Sequence, residues 1–143
     1  MNLFRNFDIC ATALTAERLR MDVISNNIAN ANTTRTKEGG PYQRQTPVFA
    51  QALETVSGAD GAPVTKVAGV KVVGIESDKR PPRMVYEPSH PDADAQGYVA
   101  YPDINVVTEM VDLISASRSY EANVTAFNAA KEMFRAALEM GKA

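Results

Sequence analysis

Apolar side chains recur at alternating three- and four-residue spacing at the two ends of this chain and not between them. Over the first segment the stripe runs Leu3, Phe7, Cys10, Leu14, Glu17, Met21, Ile24, Ile28, Ala31. Over the second it runs Val106, Met110, Leu113, Ser117, Tyr120, Val124, Phe127, Lys131, Phe134, Leu138. That spacing brings one side chain per turn onto a single seam and predicts two long helices of coiled-coil character. Glu17 and Lys131 interrupt the seams. A polar residue there fixes register or partner, or snorkels from the seam edge.

The punctuation agrees with the pattern. The first helix fades in a run of Asn26, Asn27, Asn30 and Asn32, followed by Thr33 and Thr34, whose side chains compete with the helical backbone for hydrogen bonds. Gly39, Gly40 and Pro41 stop it. Before the second helix, Asn105 is a plausible N-cap and Glu109 and Asp112 sit near the positive end of the dipole; Gly141 closes it. Between the helices lie seven of the eight Gly and all eight Pro, so this part is strand and turn. Tyr42 to Ala50 and Val70 to Ile75 read as strands, with a loop from Ser57 to Pro63. Met84 to Tyr86 is placed to pair with Val70–Ile75 across the turn Ser77 to Pro82. The pattern as a whole predicts a mainly α fold with a small β region. Two long terminal helices form an antiparallel coiled-coil hairpin, with a short β-hairpin or meander in the middle. The segments are 1–35, 36–103 and 104–143.

Such a hairpin buries one stripe per helix. Phe4, Leu19 and Val23, and Val107, Val111, Ile114, Met133 and Ala137, lie off the seams. Each larger side chain among them gains about 1.5–3 kcal/mol on burial. A lone hairpin leaves several of them in water, so the chain is expected to be partly unfolded alone or to pack into an oligomer.

Composition removes several function classes. A net charge of −2 with dispersed Lys and Arg argues against a partner bound through phosphate neutralisation, so no nucleic acid is expected. The single cysteine, Cys10, excludes an intrachain disulfide and a Cys-based zinc site, and on the apolar stripe it reads as a small buried hydrophobe. His90, Asp92 and Asp94 are metal-ligand types at close spacing, but Pro88 and Pro91 mark an extended loop and there is no second His, so no metal is expected. No nucleophile–base pair, phosphate loop or paired carboxylates stand out, so no catalytic site, cofactor or small-molecule substrate is expected. No stretch approaches the ~20 apolar residues of a membrane span. Without an uninterrupted apolar leader, these rules alone place the chain in the cytoplasm.

The residues between the stripe positions add a resemblance. The run from Ala13 to Thr34, including Met21-Asp22-Val23-Ile24-Ser25-Asn26-Asn27-Ile28-Ala29-Asn30-Ala31-Asn32-Thr33, resembles the N-terminal signature of bacterial flagellar rod and hook proteins. The run from Asp103 to Asn123, including Asn105-Val106-Val107-Thr108-Glu109-Met110-Val111-Asp112-Leu113, looks like the C-terminal signature of the same family. Many axial proteins place a glycine after the Asn-Thr pair. Here Thr34-Arg35-Thr36 and then Gly39-Gly40-Pro41-Tyr42 follow; with the short length and the segment His90 to Pro102, this resembles the proximal-rod members of the family.

The resemblance implies a structural subunit of the basal-body rod that transmits motor torque. It implies export by the flagellar type III apparatus without signal cleavage, and a periplasm-spanning location that replaces the cytoplasmic one. Implied partners are further copies of the chain and the rod proteins FlgB, FlgF, FlgG and FliE. The terminal helices would line the export channel and fold on packing. Seam residues Leu3, Phe7, Leu14, Met21, Ile24, Ile28, Val106, Met110, Leu113, Tyr120, Val124, Phe127, Phe134 and Leu138 would carry helix packing within and between subunits. Asn26, Asn27, Asn30 and Asn32 would bridge to backbones of adjacent subunits or simply fray the helix end. Arg118 and Tyr120 would fix contacts between helices, or are an ordinary solvated Arg beside a core Tyr. Phe49 and Leu53 resemble the short motif by which early export substrates are read at the export gate, or form a core pair at a strand end. The competing class is a soluble coiled-coil adaptor or export chaperone, a stable small oligomer on dilution where a rod subunit loses helix.

Overall fold

The computed structural model describes residues 3–57 and 63–141. In chain order it has α1 (Leu3–Ala29), β1 (Gln45–Ser57), β2 (Pro63–Ser77), β3 (Arg83–Tyr86), β4 (Tyr98–Tyr101) and α2 (Val106–Met140). The tip of the predicted loop between Ser57 and Pro63 lies outside the described residues, as does the side chain of Leu3.

Neither helix contains Gly or Pro, the two residues that break a helix interior. At the end of α1, the Asn30 amide donates to the Asn26 carbonyl (2.9 Å), and backbone turns through Ala31 and Thr33 follow. Asn105, in an extended conformation, caps α2 by accepting from the N–H groups of Val107 and Thr108. The 35 residues of α2 span about 53 Å. Phe7 meets Phe127 edge-on at 5.1 Å and Phe134 at 6.5 Å. At the opposite end, Asn27 meets Glu109. The two helices therefore run antiparallel over this contact.

The expectation of a mainly α coiled-coil hairpin with a short β middle is corrected by this architecture, which is α+β. β1 and β2, of 13 and 15 residues, pair antiparallel from Gln45↔Ser77 to Ser57↔Pro63. Ala16, Val23 and Ile24 on α1 and Ala116 and Ala130 on α2 are buried. Seam positions Met110 and Leu138 are instead 50% and 53% exposed. An unsupercoiled helix drifts about 20° per heptad from a strict seam, about 100° over α2. The ends of the stripe thus rotate off the contact line, and small Ala side chains carry the close approach.

β1 extends well past Ala50 because cross-strand partners override local preference. Gln51, Ala52, Leu53 and Glu54 favour helix in isolation, yet Glu54 faces Lys66, Leu53 faces Val67 and Thr55 faces Thr65. Pro47 is tolerated because every strand of a two-stranded sheet is an edge strand. Register shifts fall between Val48/Phe49 and Ala52/Leu53, and increase the local twist.

The expected pairing of Met84–Tyr86 with β2 is also corrected. β3 pairs with β4 in a separate two-stranded sheet. Pro81 and Pro82 supply no N–H and end the first ladder. The β3–β4 connection closes on itself: Glu87 N–H donates to Gly97 O, and Asp94 accepts from the N–H groups of Gln96 and Tyr98. Gly97 has φ +83°, and a Cβ there would lie 2.9 Å from the Tyr86 ring. This sheet leans on the segment after α1 through buried Val99 and through Asp92, which accepts from the Thr34 hydroxyl at 2.9 Å.

α1 crosses the β1–β2 hairpin obliquely. At one end Asn27 bonds both backbone groups of Gln45, the first residue of β1. At the other, the Thr12 hydroxyl accepts from Val70 N–H at 3.3 Å on β2. The intervals match: 15 residues of α1 cover about 22 Å, and Gln45 to Ala52, opposite Gly69, about 24 Å. Gly69, at φ +138°, makes the crossing possible, because a Cβ there would collide with the Thr12 side chain.

Candidate functional site

The two signature segments meet in a buried polar junction. Asn27 is 0% and Glu109 1% exposed, which demands internal partners for both. The Asn27 Nδ2 group donates to Gln45 O at 2.8 Å and to Glu109 Oε2 at 3.0 Å. Its Oδ1 accepts from Gln45 N–H at 2.9 Å and from the Tyr42 hydroxyl at 3.1 Å. One amide therefore ties the last turn of α1, the start of β1 and the first turn of α2. The Glu109 Oε1 atom takes Arg44 Nε at 2.7 Å. Arg44 also donates to the Thr46 hydroxyl at 3.0 Å and lies 3.8 Å from Asp112.

The surroundings fit this charge pattern. Burial, and then the Glu109 carboxylate, push the Tyr42 hydroxyl above its ordinary pKa, so it remains a donor at neutral pH. Arg44 O accepts from Asp78 N–H at 2.7 Å. Asp78 pairs with Arg80, which also reaches Asp103 at 2.9 Å. The hydrogen bonds from Arg80 hold the Asp78 carboxyl below the usual range. Every polar atom named at the centre of the junction is engaged, which suits a joint that fixes geometry.

The other sequence-predicted residues are distributed unevenly. Phe7, Leu14, Met21, Ile28, Val106, Leu113, Tyr120, Val124, Phe127 and Phe134 are half-buried, Phe7 meeting Phe127 and Phe134 across the helices, and Ile24 is buried. Of the asparagines, Asn27 alone enters the junction. Asn30 bonds Asn26 O and accepts from Thr33, while Asn26 and Asn32 are exposed. Arg118 is exposed. Phe49 and Leu53 are no core pair: both are exposed on β1, Leu53 at 60%. Cys10 is half-buried. His90 Nδ1 accepts from Asp92 N–H, Asp92 takes Thr34 and Arg35, and Asp94 closes the β3–β4 loop.

Sequence reasoning misses Arg44, Tyr42 and the burial of Glu109. The available signal is Glu109 itself, an acid three residues after Val106 on a stripe that turns inward, which calls for a cation from elsewhere in the chain. A second feature is an open apolar face on α2. Val107, Val111 and Ile114, at one-turn spacing, are all more than half exposed, as is Met133. The chain exposes 10147 Å² in all, where a compact protein of this length exposes about 7,200 Å². No helix among the described residues is long and apolar enough to cross a membrane.

Comparison with known proteins bears on both signatures. Residues 7–37 match the family described as flagella basal body rod protein, and residues 95–140 match flagellar basal body rod FlgEFG protein C-terminal. The flagellar basal-body rod protein FlgC of Borreliella burgdorferi is 49% identical, covering 96% of this chain and 97% of its own length. That of Bacillus subtilis is 45% identical over 99% of this chain and 100% of its own, and that of Aquifex aeolicus 37% over 99% of each.

Proposed function

Because this chain belongs to the FlgC family of flagellar basal-body rod proteins, we propose that its work is mechanical: it joins the export-assembled shaft that carries motor torque across the periplasm. It is a structural subunit of the proximal rod of the flagellar basal body and assembles with other rod components. Its neighbours in this reading are further copies and FlgB, FlgF, FlgG and FliE. It reaches the rod through the flagellar export apparatus with its N-terminus uncleaved, and Phe49 and Leu53, exposed on β1, are open to that apparatus.

The observation that carries the mechanical reading is the run of large apolar side chains left exposed on α2 and the hairpin, among them Leu53, Val73, Val107, Val111, Ile114 and Met133. Apolar faces of this extent are covered in a working assembly. The buried junction at Asn27 then has a mechanical sense. Shear between α1 and α2 must break the Asn27–Glu109 bond and, with it, either the Arg44–Glu109 ion pair or the bonds of Asn27 to Tyr42 and Gln45, whereas sliding apolar contacts offer little resistance. The test is replacement. The chain is expressed in cells of a FlgC-bearing bacterium that lack their own copy, and basal bodies are purified and counted. Rods containing the chain are expected, with motility restored. Soluble chain with no rods overturns the reading.

A further inference from the structure

We propose that the uncovered face of the β1–β2 hairpin is a docking surface for a second copy of this chain, which seats on it the exposed apolar stripe of its α2. This rests on the rod-subunit reading and identifies the contact through which copies join.

Strand alternation sorts the hairpin into two unlike faces. Ala50, Ala52 and Gly69 share the face that α1 crosses, where small residues permit the close approach at Thr12. The other face carries Phe49 and Leu53 on β1, Val67 opposite Leu53, and Ile75 opposite Pro47, while Val72, opposite Phe49, borders the groove that α1 makes with β2. Phe49, Leu53, Val67 and Ile75 are all exposed. A half-buried antiparallel sheet ordinarily turns polar residues to water, and this one turns its larger apolar ones.

The α2 stripe of Val107, Val111 and Ile114 is the second uncovered face. Within one chain the two faces cannot meet. Among the described residues α2 packs on α1 and not on β1 or β2, so α1 is the middle layer and the apolar faces are the outer surfaces of the stack. A helix stripe laid on a sheet face is an ordinary two-layer contact. Each copy thus offers one half of the contact on each side. The pairing is heterologous and does not close on itself, the geometry that propagates an assembly. Pairing sheet face to sheet face would leave the α2 stripe in water. The two faces together hold Phe49, Leu53, Val67, Ile75, Val107, Val111 and Ile114, all exposed, the large apolar side chains from which a buried interface centre is built.

The test is disulfide trapping in basal bodies. The full chain with Cys10→Ser, Leu53→Cys and Ile114→Cys replaces the resident protein, and purified basal bodies are mildly oxidised and run on a non-reducing gel. A ladder of multimers of this chain is expected, with monomer only when either new cysteine is present alone. Dimers from Leu53→Cys alone overturn the proposal, because like faces then meet. Adducts only with other basal-body proteins overturn the second copy as occupant. Intact basal bodies containing the chain but no adduct overturn the docking and leave the rod reading standing. Absence of the unsubstituted chain from basal bodies, run in parallel, overturns both. In a second variant, Leu53→Asp is expected to lower incorporation at least tenfold while the circular dichroism of the purified chain is unchanged; undiminished incorporation overturns the proposal.

Discussion

Replacing Asn27 with Ala removes four hydrogen bonds from a fully buried position. Two join the backbone of Gln45, one the Tyr42 hydroxyl and one the Glu109 carboxylate. The bond to the carboxylate is worth about 1.5–3 kcal/mol and each neutral one about 0.5–1.5 kcal/mol. Gln45 is only half-buried and recovers part of its loss from water. Glu109, at 1% exposure, recovers little. The total is about 3–5 kcal/mol, a large share of the roughly 5–15 kcal/mol that holds a domain folded. In urea unfolding followed by far-UV circular dichroism, a slope near 2 kcal/mol/M turns this into a midpoint lower by about 1.5–2.5 M. Asn27→Asp separates geometry from charge. It keeps the acceptor for Gln45 and Tyr42 but sets a second carboxylate against Glu109. It should be less stable than Asn27→Ala at pH 7 and should recover as pH falls, because protonating the new carboxyl restores a donor toward Glu109. An Asn27→Ala midpoint within about 0.3 M of the parent, or an Asn27→Asp chain as stable as the parent at pH 7, refutes the junction as the joint of the fold.

Other perturbations test other parts of the structure. Gly69→Ala forces a Cβ onto the Thr12 side chain at φ +138° and should cost about 2–4 kcal/mol; Thr12→Ala should recover part of this, and strict additivity in the double-mutant cycle would contradict the crossing. Arg44→Ala leaves the Glu109 carboxylate without its cation and should cost about 3 kcal/mol, read as a Tm lower by about 6–12 °C; Arg44→Lys, which loses the fork to Thr46 and Asp112, should fall between. Tyr42, with its pKa raised by burial and by Glu109, contributes stability that is present below its unfolded pKa near 10 and is lost as pH rises through the higher folded value. An ultraviolet titration should find two tyrosines ionising late, Tyr42 and Tyr101, whose hydroxyl donates to Glu87, and Tyr42→Phe should remove one of the two.

The helices are legible in the chain because their signals are local: one apolar residue per turn, an Asn cap before Val106 and an Asn-rich stop after Ile28. The length of the hairpin is not legible in the same way. Gln51 to Glu54 carry helix-favouring side chains, and what holds them in a strand is Lys66 and Val67 opposite, which no window of sequence reveals. The partner of β3 is obscured for a related reason, since Val70–Ile75 and Tyr98–Tyr101 are both plausible neighbours until β1 is known to occupy β2. At the junction, Asn27 stands out as a signature residue, but its bonds reach 18 residues to Gln45 and 82 to Glu109. Periodicity carries no information at that range. The exposure of Met110 and Leu138 follows from the mismatch between 3.6 residues per turn and a strict heptad.

The oblique path of α1 also bears on what the chain avoids. A two-stranded sheet offers two open edges, and an open edge is a template on which a stray strand from another chain can grow. At Gln45 the Asn27 amide donates to the carbonyl and accepts from the N–H, as an added strand would, and so takes its place. At Val70 the Thr12 hydroxyl takes the outward N–H of the other edge. One helix thereby takes one position on each edge of the hairpin. For a subunit that must accumulate copies in a set order, this suppresses amyloid-like strand addition and leaves side-chain faces, which carry specificity, as the surfaces on which growth proceeds.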